Sequence, residues 1–305
     1  MSAPTIPVGP HGGDGARLAA ALGVPADAVL DLSASLNPAA PDVAPIVAAH
    51  ADAARRYPDA EPATKALASR LGVDAERVVL TNGGAEAIAL VAAEHRVGWV
   101  DDPDFSLYAR HLSTLDPRGW HWRSNPHNPT GRLAAPDETA DVWDEAFYAL
   151  ATGRWRRGDD SAVVVGSLTK VFACPGLRLG YVITPAVGLA DALRARQPRW
   201  SVNALACAAL PELLDRTDLP LWARLVDRWR DDLVTVLRDA GLAPDPSEAS
   251  YVLVRHAPGM RDHLARRGVL VRDTATFGIP DGVRVAVPNP TDLVRLGRAL
   301  EGWSP

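Results

Sequence analysis

Between residues 77 and 183, short apolar runs alternate with stretches whose apolar positions recur every three to four residues, which predicts strands of a parallel sheet separated by helices. Strands are expected at 77–81, 97–100, 120–122, 142–144, 162–166 and 179–183, with 120–122 edge-like. A helix is expected to open at 82–86 and run to 93, and another to span 105–115. Beyond residue 185 the pattern becomes mainly helical, over 189–196, 203–214 and a long amphipathic stretch at 221–240. A Gly- and Pro-rich turn at 241–246 leads to short strands at 251–254, 269–271 and 283–287, around a helix at 260–267. The fold class is therefore α/β, with a mostly parallel central sheet and a smaller α+β C-terminal domain. Residues 41–188 form the large domain, 189–305 the interdomain helix and small domain, and 1–40 an N-terminal segment.

The 305 residues are 47% hydrophobic and 23% charged, with a net charge of −5, which is the composition of a globular protein with ample core. The acidic balance and short basic runs exclude a broad phosphate-binding surface, so no nucleic-acid partner is expected. Residues 1–10 hold neither a basic cluster nor an apolar run, and no stretch has the length of a membrane span, so a cytoplasmic location is expected. Two cysteines, Cys174 and Cys207, are too few for a disulfide framework or a metal cluster, and no metal is expected.

Charge usage sharpens the picture. The chain has thirty arginines and only two lysines. Lys65 lies on a polar helical face, whereas Lys170 ends Ser167-Leu-Thr-Lys170, followed by Gly176-Leu-Arg178-Leu-Gly-Tyr. Upstream stand Asn125-Pro-His-Asn128-Pro-Thr-Gly and Asp144-Glu-Ala-Phe147. These residues fall just past strand ends, where open α/β sheets bind ligands.

Those four elements, in that order, resemble the active-site series of fold type I pyridoxal-phosphate (PLP) enzymes, the aspartate aminotransferase-like class I/II aminotransferases. The resemblance covers nearly the whole chain and implies a role for each residue. Lys170 would bind the cofactor's aldehyde and move a proton at the substrate α-carbon, and Asp144 would keep its pyridine nitrogen protonated. Asn128 would donate to the phenolic oxygen and Phe105 would stack on the ring. Gly84 and Ala85 at a helix start, with Ser167 and Arg178, would hold the phosphate. Tyr57 would reach the phosphate in a neighbouring subunit, which implies a homodimer. Arg284 would grip the substrate carboxylate through its planar fork.

Within the family the chain is similar to the branch of threonine-phosphate decarboxylases and histidinol-phosphate aminotransferases. His11-Gly-Gly-Asp14, the 30–38 segment with Asn37, Trp200-Ser-Val-Asn203 and Arg272-Asp-Thr-Ala-Thr-Phe277 carry that likeness. The implied reaction is decarboxylation of L-threonine O-3-phosphate to 1-amino-2-propanol phosphate, for cobalamin synthesis. The alternatives are transamination of histidinol phosphate or another amino acid, and a non-catalytic PLP-binding protein. His11 and Asn37 would help bind the substrate phosphate, which Asp14 would repel unless it pairs with an arginine. Segments 105–125 and 131–144 are shorter than in relatives, so loss of an edge strand and of flanking helices is expected.

Overall fold

The computed structural model describes Ile6, Gly9 and residues 11–304. The N-terminal part of that span folds onto the C-terminal part. β1 (Leu30–Asp31) pairs in parallel with a strand near residue 270, and Leu18, Ala19 and Val29 share a small core with Ala265 and Leu270.

The large sheet has seven strands: β2 (Val78–Asn82), β3 (Val97–Val100), β4 (Thr114–Leu115), β5 (Trp120–Ser124), β6 (Val142–Asp144), β7 (Val163–Gly166) and β8 (Leu179–Ile183). Their order is β2-β8-β7-β6-β5-β3-β4, with β8 antiparallel to both neighbours and every other pair parallel. The central strands are buried on both faces, which is why their sequences read as unbroken apolar runs.

Three expectations are corrected here. The strand expected to be edge-like at 120–122 is internal, because β5 pairs with β3 on one side and β6 on the other. The helix expected over 105–115 covers only Leu107–His111, because the backbone N–H groups of Ser113 and Thr114 both donate to the Arg96 carbonyl and pull the chain into the sheet. The edge strand expected to be lost survives as β4, reduced to the pairs Val97↔Thr114 and Gly98↔Leu115. The sheet face that stands to lose its helices is closed in another way. Trp99 stacks on His121 at 3.8 Å, the Arg123 and Arg157 guanidinium groups lie over Trp143, and Trp143 is fully buried. Arg157 also donates to the carbonyls of Ala135, Pro136 and Glu138, which pins a helix-free loop across that face.

The small domain holds β9 (Tyr251–Val254), β10 (Val269–Leu270), which is the partner of β1, β11 (Arg272–Asp273) and β12 (Val283–Ala286). The antiparallel order is β11-β12-β9. The helix Leu219–Asp239 connects the two domains. Its N-cap Asp218 accepts from Leu221 N, and its buried residues Trp222, Val226, Leu233 and Leu237 recur at spacings of four and seven, a single stripe. Trp222 packs into the large-domain core and Leu233 and Leu237 into the small-domain core, so one helix face spans both.

Candidate active site

The C-terminal ends of β5, β6 and β7 open on a cavity of about 250 Å³. Ten of the twelve expected site residues line it: His11, Gly84, Ala85, Phe105, Asn128, Asp144, Ser167, Lys170, Arg178 and Arg284.

At one end lies the start of the helix Gly84–Glu94. Gly83, with φ of 80°, turns the chain sharply into it, and a Cβ there would come within 2.6 Å of an Arg178 nitrogen. The first N–H groups of this helix have no intrahelical acceptors, and together with Arg178 and the nearby Ser167 they form a cradle for an anion. Arg178 itself is held at φ of 57°, an uncommon conformation for a non-glycine residue and a mark of a functional site.

At the other end Asp144 closes β6. Its Oδ2 accepts from the Tyr108 hydroxyl at 2.7 Å and its Oδ1 from Ala146 N at 3.0 Å. Burial raises its carboxyl from the ordinary value, while Tyr108, Ala146 and Lys170 oppose the rise. Tyr108 had no assigned role in the sequence. Its spacing of three from Phe105 was the available signal, and the two rings do meet edge to face at 5.8 Å.

Lys170 stands between these ends. Its Nζ donates to the Ala34 carbonyl at 2.6 Å. Burial first, then the charges of Arg284 and Arg178, lowers its ammonium to about 8. A lysine so placed gives up its proton far more readily than a solvated one.

The remaining wall is cationic. Arg284 on β12 donates to Asn128 Oδ1 at 2.6 Å and to the Ser33 carbonyl at 3.4 Å, and lies over the Tyr251 ring at 4.5 Å. Arg272 on β11 sits directly opposite it in the strand pairing and also lines the cavity. Both arginines are buried, and Arg272 is lowered to about 10 by burial and then by Arg284. Sequence reasoning took Arg272 only as part of a strand and turn. One arginine among thirty carries no mark, and only the strand register puts it beside Arg284. The His11 ring tilts against Phe105 at 5.6 Å, and burial, with Arg272 and Arg110, lowers it toward the neutral form. Its buried Nδ1 has no hydrogen-bond partner among the described residues.

Two expected residues lie elsewhere. Asn37 does not line the cavity: its amide donates to the Val171 carbonyl and accepts from Ala39 N, so it fastens the N-terminal segment to the lysine's helix. Tyr57 is 78% exposed and its ring tilts against Trp200 at 4.5 Å, outside the residues that line this chain's cavity. Asp14 pairs with Arg17 at 3.4 Å and does not line the cavity, although its charge still acts on His11 and Arg272.

The cavity fits PLP group by group, with an anion cradle at a helix start, a carboxylate at the far end, an aromatic side wall and a lysine of lowered basicity. No helix among the described residues is long and apolar enough to cross a membrane.

Comparison with known proteins agrees. The family model "Aminotransferase class I and II" matches residues 118–300. Histidinol-phosphate aminotransferase 1 of Dechloromonas aromatica is 27% identical over 337 residues, covering 93% of this chain and 92% of its own. Threonine-phosphate decarboxylase of Salmonella typhimurium is 29% identical over 365 residues, covering 97% and 98%. Both alignments are longer than this 305-residue chain, so these relatives carry segments with no counterpart here. The structure of histidinol-phosphate aminotransferase from Sinorhizobium meliloti in complex with pyridoxal-5'-phosphate superposes with a TM-score of 0.80 at 18% identity, covering 97% of this chain and 94% of that one. The chain belongs to the class I and II aminotransferases, and is a PLP-dependent enzyme with their α/β fold.

Proposed function

We propose that this enzyme decarboxylates L-threonine O-3-phosphate to 1-amino-2-propanol O-phosphate, a step suited to cobalamin synthesis. The observation that carries the reading is the pair Arg272 and Arg284, two buried cations opposed across β11 and β12. Two cations on one wall of the cavity favour a substrate that carries two anionic groups. L-Threonine phosphate brings two anionic groups, a carboxylate for Arg284 and a phosphate for Arg272, with the neutral His11 beside it. Histidinol phosphate has only one.

Bound PLP acts as an electron sink for charge developing at the substrate α-carbon. In the proposed assignment Lys170 holds the cofactor and carries a proton at that carbon, and Asp144, oriented by Tyr108, faces the pyridine nitrogen. Gly84, Ala85, Ser167 and Arg178 hold the cofactor phosphate, Phe105 stacks on the ring, and Asn128 reaches the phenolic oxygen. Arg284 fixes the carboxylate and so selects which α-carbon bond stands perpendicular to the ring.

Transamination of histidinol phosphate is the second reading, favoured by the name of the Dechloromonas aromatica relative. The deciding experiment incubates the PLP-loaded protein with L-threonine O-3-phosphate and no keto acid, beside Lys170→Ala, and identifies products by mass spectrometry. Aminopropanol phosphate that depends on Lys170 supports the decarboxylase; unchanged substrate with turnover of histidinol phosphate and a keto acid overturns it.

The same reading includes a cytoplasmic homodimer. Two large aromatics, Tyr57 and Trp200, lie against each other and are exposed, as suits a surface awaiting a second subunit. The buried Cys174 and Cys207 remain free thiols, consistent with a reducing compartment.

A further inference from the structure

Asp104 is a buried carboxylate that has no place in the assignment above. Its Oδ1 accepts from Phe105 N at 2.7 Å and from the Ser124 hydroxyl at 2.5 Å, and its Oδ2 accepts from Ser124 N at 2.9 Å. The Ser124 oxygen in turn accepts from Asn128 N at 2.7 Å. The Ser124 hydroxyl proton is committed to Asp104, so a lone pair of that oxygen faces Asn128.

We propose that Asp104 is a positioning residue for the cofactor slot: it ties the loop that carries Phe105 to the turn that carries Asn128, with Ser124 as the link. The inference rests on the reading of the cavity as a PLP site. Phe105 and Asn128 stand on segments about twenty residues apart in sequence, and the gap between them sets the width of the slot. A carboxylate suits this task because it accepts on both oxygens and donates on neither, and here all three incoming groups are donors. A neutral Asn would turn an N–H toward one of those donors.

The carboxylate is retained at a cost. Burial pushes it up to about 7 against the three donors, with Asp144 adding to the rise. A group kept in place at such a cost, at the seam between two walls of a ligand cavity, is better explained by the geometry it imposes than by stability. Asn128 is then held twice, by Ser124 at its backbone and by Arg284 at its side-chain oxygen, which leaves its Nδ2 donors for the ligand.

The consequence is measurable at the cofactor. A donor at the phenolic oxygen draws off negative charge that otherwise holds a proton on the nitrogen contributed by Lys170. If Asn128 loosens, that proton is held more tightly and the pH midpoint of the bound cofactor's visible absorbance moves up.

The test compares full-length wild type, Asp104→Asn and Ser124→Ala by PLP titration, by pH titration of the cofactor's visible band, and by melting without cofactor. Both variants are expected to weaken PLP about tenfold, the scale of a lost outer-shell partner, and to raise the midpoint by about one pH unit. A drop in melting temperature with affinity and midpoint unmoved makes Asp104 a fastener of the fold and overturns the inference, as do variants indistinguishable from wild type. If Asp104→Asn does not fold, Ser124→Ala decides alone, since it keeps the carboxylate and both backbone donors. Wild type that fails to bind PLP through Lys170 sinks the PLP reading, and this inference with it. Wild type that binds, beside unmoved variants, sinks this inference alone.

Discussion

The two walls of the cavity are built on different principles. On the large-domain wall, polar groups are engaged with one another before any ligand arrives: Tyr108 holds Asp144, and Asp104 holds Ser124 and through it Asn128. Ser124 and Asp144 end two adjacent strands of the large sheet, so the groups tied to them have little freedom to move. On the opposite wall two arginines lie side by side, and the N-terminal segment supplies carbonyls of Ser33 to Arg284 and of Ala34 to Lys170. One wall is preorganised for a fixed cofactor, while the other is cationic and answered by backbone oxygens that an anionic substrate can replace. On the proposed assignment, the first wall carries the cofactor chemistry and the second selects the substrate.

That contrast is broken most severely at Lys170. Lys170→Ala is expected to cost on the order of 10⁴-fold in turnover and to abolish the cofactor's lysine-dependent absorbance. Asp144→Asn keeps the shape of the first wall but loses its charge, and a fall in kcat of on the order of 10³-fold is expected with substrate affinity little changed. On the second wall, Arg272→Gln is expected to raise KM for the phosphorylated substrate by about 10- to 100-fold while kcat moves less. If Arg272→Gln lowered kcat and left KM alone, the division of labour between the walls would be wrong. A smaller effect concerns dimerisation, where Tyr57→Ala should weaken PLP binding a few-fold and shift sedimentation toward monomer.

The Lys170 ammonium provides a pH test. Its value falls from an ordinary 10.5 to about 8, so below pH 8 the folded protein buries a charge that the unfolded chain solvates freely. That penalty is relieved as pH rises from about 8 to 10.5. The melting temperature of the cofactor-free protein, measured against Lys170→Met, should therefore gain on the variant across this interval. The rate of PLP capture, which needs the neutral amine, should climb up to about pH 8 and then level off. A flat capture rate from pH 6 to 9 would mean that the lysine is not the capturing group.

Much of this site was legible without coordinates. Lys170, Asp144, Asn128 and Arg178 occur in motifs tied to strand ends, and a strand end in an open α/β sheet faces the ligand crevice wherever the rest of the chain goes. Less was legible where the role depends on contacts distant in sequence. Tyr108, Arg272 and Asp104 acquire their partners at Asp144, Arg284 and Ser124 only after strands pair and loops close. The place of Asn37 was illegible for the same reason, because whether its amide reaches the cavity or the Val171 carbonyl is decided by how the N-terminal segment docks. The edge of the sheet shows the limit of local pattern. Residues 105–115 read as one helix, yet the Arg96 carbonyl captures two N–H groups and makes a strand of the end.

The sequence by itself determined the alternation of strands and helices, the parallel core and the catalytic series, because apolar periodicity and the motifs at strand ends are local properties of the chain. Only the tertiary structure decided the width of the cofactor slot, the pairing of Arg272 with Arg284 and the closing of the shortened sheet face by Trp143, Arg123 and Arg157. Those features are made by groups far apart in sequence, and their energies depend on register, burial and neighbouring charge, which exist only once the chain has folded.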